Sequence, residues 1–171
     1  MSGAMSDVPS EEPDPQVSRD EAPVLESFFK FTHSHRVRYD EVDAQGVVGN
    51  ATWLNILQLA RVEYLRNIGM LSEGGTVSPV QAVVRRSVVD YLAPARFDDT
   101  LLLRVRCAYL GNSSARFEYL VDLIESGLRT VVGETVLICL DMERFCSTPW
   151  PQLWRDRVID YEEGNVQLGQ G

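Results

Sequence analysis

One stretch restricts the possible folds of this chain more than any other. Residues 51–68 contain eleven apolar side chains in eighteen. Trp53, Ile56, Leu57, Ala60, Tyr64 and Ile68 recur at three- and four-residue spacing, the period of a helix face. The flanks of that stripe, Leu54, Leu59, Val62 and Leu65, are apolar too. A helix with so little polar circumference must be enclosed, and Gly69 after it fits a helix stop. Four strand signals follow before any second helix: residues 80–92, 101–110, 115–124 and 129–142. The middle two alternate cleanly, with Leu101, Leu103, Val105, Cys107 and Tyr109 facing one way, then Phe117, Tyr119, Val121 and Leu123. Residues 111–114 and 125–127 supply hairpin connections, so the sheet is antiparallel. The expected class is α+β: one long central helix wrapped by a curved antiparallel sheet of about five strands.

Ahead of the helix, residues 35–39 alternate, with Val37 and Tyr39 on one face and Arg36 and Arg38 on the other, and predict a first strand. Asp43-Ala44-Gln45-Gly46 has Asp and Gly at the ends of a type I turn, and Asn50 is placed to cap the helix. Residues 149–160 predict a short closing helix with Trp150 and Trp154 against the body. The expected organisation is an acidic disordered tail over 1–27, a single domain over 28–161 and a flexible C-terminal tail over 162–171.

Charge separates along the chain. Of the formal net charge of -9, residues 1–27 carry -6, from seven acids against Arg19. The body is mildly acidic, which argues against a nucleic-acid partner. Three cysteines without C-x-x-C spacing or neighbouring histidines signal neither a disulfide framework nor a metal site. No apolar run approaches the roughly 20 residues of a membrane helix. These features predict a cytoplasmic protein without a membrane partner, metal or cofactor. No G-x-S-x-G elbow, phosphate loop or dinucleotide fingerprint is present.

The segment from Arg36 to Leu65, above all Asp43-Ala44-Gln45-Gly46-Val47-Val48 with Asn50, Trp53, Ala60-Arg61 and Glu63, resembles the signature of hotdog-fold acyl-CoA thioesterases of the 4-hydroxybenzoyl-CoA thioesterase type. Residues 84–86 and 91–99 resemble the family's second strand and the turn after it. The likeness extends over about residues 33–145 and informs poorly about substrate. It implies the hotdog fold, a homodimer or homotetramer with sites at the subunit interface, and an acyl-CoA substrate, with acyl carrier protein as a possible alternative carrier.

By this resemblance Asp43 is the catalytic carboxylate, as nucleophile or general base. The backbone amides of Asn50 and Ala51, at the positive end of the helix dipole, would polarise the thioester carbonyl. Some relatives carry His or Tyr at the Asn50 position, and Asn departs from them. Arg86 and Arg116 are assigned to the phosphates of coenzyme A, and Trp53 to the acyl pocket or the core. Taken alone, an Asp three residues before a Gly is a turn former, and His33 and His35 are structural or surface residues. A hotdog module that binds acyl-CoA without turnover is the alternative. A hydratase or dehydratase is disfavoured, because no His lies downstream of residue 35.

Overall fold

The apolar stretch forms helix α1, Asn50–Asn67, in a computed structural model that describes residues 26–71 and 81–169. The expected acidic tail, apart from Glu26 and Ser27, lies outside the described residues, as do residues 72–80 and the last two residues of the expected C-terminal tail. Helix α1 ends in a Schellman motif: the Met70 amide donates to Leu65 O (2.8 Å) and the Gly69 amide to Arg66 O (3.0 Å). Gly69 takes the left-handed φ of 73° that this ending requires.

Five antiparallel strands form the main sheet: β1 (Phe31–Arg36), β2 (Ala82–Tyr91), β3 (Thr100–Leu110), β4 (Ser114–Leu123) and β5 (Arg129–Asp141), in the order β1-β3-β4-β5-β2. Two-residue strands extend it: β6 (Cys146–Ser147) pairs with β5, and β7 (Gln167–Leu168) runs parallel to β3. One face of the sheet packs Leu101, Leu103, Val105, Phe117, Tyr119, Val121 and Val131 against Trp53, Ile56, Leu57, Ala60 and Tyr64 of α1. Gly133 on β5 permits the close approach. A Cβ there would meet Val88 O at 3.2 Å and Leu57 Cδ1 at 3.5 Å. Helix α2, Gln152–Glu162, closes the end of the barrel-like wrap with Trp150 and Trp154 buried and stacked at 4.0 Å.

Three local expectations are corrected. Strand β1 stops at Arg36, and Tyr39–Glu41 is a 3-10 turn. Val37 is buried while Tyr39 is 79% exposed, because the chain turns instead of continuing to alternate. In β3 a bulge between Cys107 and Tyr109 shifts the parity, so Leu110 enters the core and Tyr109 leaves it. Residues 162–169 belong to the fold: Glu162 and Val166 are buried and β7 is hydrogen-bonded to β3.

On the sheet face away from α1, the N-terminal segment acts as a strap. Arg106 lies over the rings of Phe28 (5.1 Å) and Phe29 (5.5 Å), and Arg129 pairs with Glu26 and with Asp122.

The carboxyl of Glu162 is fully buried among α1, β3 and α2. Its Oε1 accepts from the Tyr64 hydroxyl (2.7 Å) and the Cys107 amide (2.8 Å), while among the described residues Oε2 has no hydrogen-bond partner. Burial pushes its pKa above the usual carboxylate range, against the pull of those two donors. A proton on Oε2 suits this arrangement, since an unpaired hydroxyl costs less than an unpaired charge. The folded state therefore keeps a proton that the unfolded chain releases above its ordinary value of 4.5. Stability contributed by Glu162 is present below that value and is lost as pH rises through the raised one. Thermal melts from pH 5 to 8 should show a smaller decline for Glu162→Gln than for the wild type. Equal slopes would refute the assignment.

Candidate active site

Asp43 is held in a tight turn between two short pairings. Val42 bridges Val48, and Val47 bridges Arg96. The Asp43 amide donates to Val47 O (2.9 Å) and the Gly46 amide to Asp43 O (2.9 Å), with Gly46 at a φ of 74°. The Val48 amide donates to Ala95 O (2.9 Å), which ties the turn to the connection between β2 and β3. Within the turn, Asp43 Oδ1 accepts the Gln45 amide (2.8 Å), the local bond that makes Asp a turn former. Its other oxygen, Oδ2, lies near Gly49 just before α1: a methyl group built on Gly49 would be 4.0 Å from it and 3.9 Å from Asp43 Cβ. The Thr52 hydroxyl lies 3.9 Å from the same point. The side chain is exposed, and among the described residues Oδ2 has no hydrogen-bond partner.

The cap of α1 is Gly49 in extended conformation, not Asn50, and no side chain caps the helix. Asn50 is instead the first helical residue, since Gly49 O already accepts the first helical bond, from the Trp53 amide at 3.0 Å. The amides of Asn50, Ala51 and Thr52 therefore precede the ladder and emerge at the positive end of the helix dipole. A carboxylate beside a set of uncapped amides is an arrangement that can bind a carbonyl group and attack it, or activate water to do so.

The other expected site residues are placed differently. Trp53 is 3% exposed and belongs to the core cluster. Arg86 and Arg116 share one row across the sheet, both opposite Val136, on the face away from α1. Arg86 pairs with Glu134 at 3.0 Å, and Arg116 lies 3.6 Å from Glu118. Within one chain, neither converges on Asp43. Glu63 pairs with Arg66, while the buried Arg61 donates to the Tyr119 hydroxyl at 2.8 Å. The three cysteines are free thiols, and among the described residues no three His, Cys, Asp or Glu side chains converge to hold a metal. No described helix is long and apolar enough to cross a membrane.

Sequence reasoning missed the pair formed by His35 and Glu41, both about nine-tenths buried, at the foot of the Asp43 turn. Its only trace in the sequence is an acid two residues before Asp43 with a histidine six residues further back.

Known proteins resemble this chain in sequence and in fold. The acyl-CoA thioester hydrolase YbgC of Escherichia coli O157:H7 is 32% identical over 106 residues, 62% of this chain and 78% of that protein. A thioesterase from Thermus thermophilus, solved as a complex with coenzyme A and Zn, superposes with a TM-score of 0.67 at 32% identity, covering 79% of this chain and 96% of that one. Slr0204 from Synechocystis, a 1,4-dihydroxy-2-naphthoyl-CoA thioesterase, shares the fold with a TM-score of 0.70 at 23% identity, over 76% of this chain and 96% of that one. Residues 37–158 match the family model as well, and they span the Asp43 turn, α1 and the sheet that covers it: this chain belongs to the Thioesterase-like superfamily.

Proposed function

We propose that this chain hydrolyses acyl-CoA thioesters, with Asp43 as the reacting carboxylate and the first-turn amides of Asn50 and Ala51 as donors to the carbonyl oxygen. One observation carries the reading: the free Oδ2 of Asp43 lies near Gly49, at the uncapped N-terminus of α1. As the carbonyl carbon becomes tetrahedral, negative charge collects on its oxygen, and preorganised amides stabilise it without reorganising. Collapse breaks the carbon–sulfur bond and releases the thiolate. If Asp43 attacks directly, the intermediate is a mixed anhydride that water then cleaves to the free acid. If Asp43 takes a proton from water, hydroxide adds in a single step and no acyl-enzyme forms. Both routes end in a carboxylic acid and a thiol. The YbgC relative, an acyl-CoA thioester hydrolase, favours coenzyme A as the carrier, and the thioester of an acyl carrier protein would present the same reacting group.

A homodimer completes this reading. Strand β2 pairs only with β5 among the described residues, which leaves its outer edge open. Val83, Val84, Tyr91 and Leu92 are exposed along it. A second copy pairing there would satisfy the edge and cover that apolar surface. Arg86 and Arg116 reach a nucleotide bound near Asp43 only across such an interface. Sedimentation equilibrium should give twice the chain mass or a multiple of it, and a monomer at micromolar concentration would refute the pairing.

Thiol release from acetyl-, octanoyl-, palmitoyl- and benzoyl-CoA tests the chemistry. Wild-type protein should turn over at least one of them. Asp43→Asn should fall by about 100-fold or more with an unchanged melting temperature, since Asn forms the same turn. Binding without turnover by the wild type would replace the enzyme with an acyl-CoA-binding module.

A further inference from the structure

Glu41 has an environment unusual for a carboxylate in a connecting turn. It is 7% exposed, two residues before Asp43, and its Oε2 accepts from His35 Nε2 (2.8 Å) and from the Arg38 amide (2.9 Å). Its Oε1 faces the Arg38 guanidinium at 3.4 Å. His35 is 8% exposed at the end of β1, where its backbone partner across the ladder is Leu101. The bond from His35 to Glu41 therefore closes a seven-residue loop on the side chains alone. Val37, inside that loop, is pinned to the opposite connection, accepting from the Asp98 amide (3.0 Å) and donating to Asp99 O (2.9 Å). Val42, the residue after Glu41, begins the pairing that holds the Asp43 turn.

Burying a carboxylate with an imidazole gains little net stability, because desolvation offsets the attraction. What it does supply is a fixed position. The rear of the Asp43 turn is held by Val47, Val48 and their bonds to Ala95 and Arg96; the front is held by Glu41. Without the His35 to Glu41 bond, residues 38–42 keep the backbone anchors at Val37 and at the Val42–Val48 bridge, and the segment entering the turn gains room to shift relative to α1. A displacement of about 1 Å at a reacting group can cost about 100-fold in rate. Neither side chain is placed to touch a substrate: the His35 Nε2 is engaged by Glu41, and both groups are enclosed.

We propose that His35 and Glu41 are positioning residues for the thioester hydrolysis, a buried pair that fixes the Asp43 carboxylate against the first turn of α1. The inference rests on the role given to Asp43 above.

Two substitutions delete the bond while keeping side-chain volume, His35→Phe and Glu41→Met, so the test survives if one of them fails to fold. His35→Gln retains a donor at the Nε2 position and serves as the rescue. With octanoyl-CoA and benzoyl-CoA as probes, the two deletions should lower kcat by about tenfold or more and leave KM within about threefold, while His35→Gln returns kcat to within about threefold of wild type. Hydrogen exchange of residues 42–48 should accelerate in the deletions and not in His35→Gln. The inference is overturned if the folded deletions keep wild-type kcat while Asp43→Asn loses it, an outcome that leaves the role of Asp43 intact. It is equally overturned if His35→Gln is as slow as His35→Phe, or if the loss appears in KM alone. Should Asp43→Asn retain full activity, the underlying reading fails instead, and unchanged exchange in the deletions would then refute the positioning as well.

Discussion

The architecture depends on enclosing α1. Tyr64 shows how completely this is done: it has no exposed surface and meets Phe31 of β1, Phe117 of β4 and Tyr161 of α2 edge-on at 5.5 to 5.8 Å. Its hydroxyl continues to Glu162, which also accepts the Cys107 amide of β3. Five elements thus converge on one ring and one carboxyl group. Such close packing leaves few alternative placements for the helix axis, and so determines where its first turn emerges.

That placement matters because the start of α1 is left without a side-chain cap. Helices ordinarily gain stability from a polar residue at this position, and Gly49 forgoes the side-chain bond at a cost of only about a few tenths of a kcal/mol. The packing along the rest of α1 compensates, so the amides of Asn50, Ala51 and Thr52 stay available beside Asp43. Forgoing local stability at one end of a well-anchored helix is a common way to keep donors free for chemistry.

Much of this was legible in the sequence, and the limits have physical causes. Helix α1 and strands β3 to β5 follow from periodicity, since burial on one face imposes a pattern that a single chain records. The Asp43 turn was equally legible, because Asp and Gly have local reasons for their positions. What escaped depends on how turns, hairpins and packed elements bring side chains together, which residue-by-residue periodicity does not record. The bulge at Cys107 to Tyr109 is set by pairing with β4, so Tyr109 reads as inward when it is not. Glu162 continues the buried stripe of Trp154 and Val158 at four-residue spacing, yet a lone acid in that position reads as the end of a helix. His35 and Glu41 look like ordinary surface residues until the turn folds them together. Arg86 and Arg116 show another limit: residue type suits a phosphate, but strand parity puts both on the sheet face away from α1, so a nucleotide role for them needs a second copy that the sequence of one chain does not display.

The N-terminal strap has a consequence for the back of the sheet. Phe28 and Phe29 lie against Arg106, and Glu26 reaches Arg129, so the segment covers guanidinium groups that also pair with Glu118 and Asp122 of the sheet. Removing Glu26 to Phe29 would take away more than a few terminal residues. It would uncover the paired charges of Arg106 with Glu118 and Arg129 with Asp122 on the sheet face away from α1, and a truncated chain would carry an open, mixed polar and apolar surface that the longer one keeps covered.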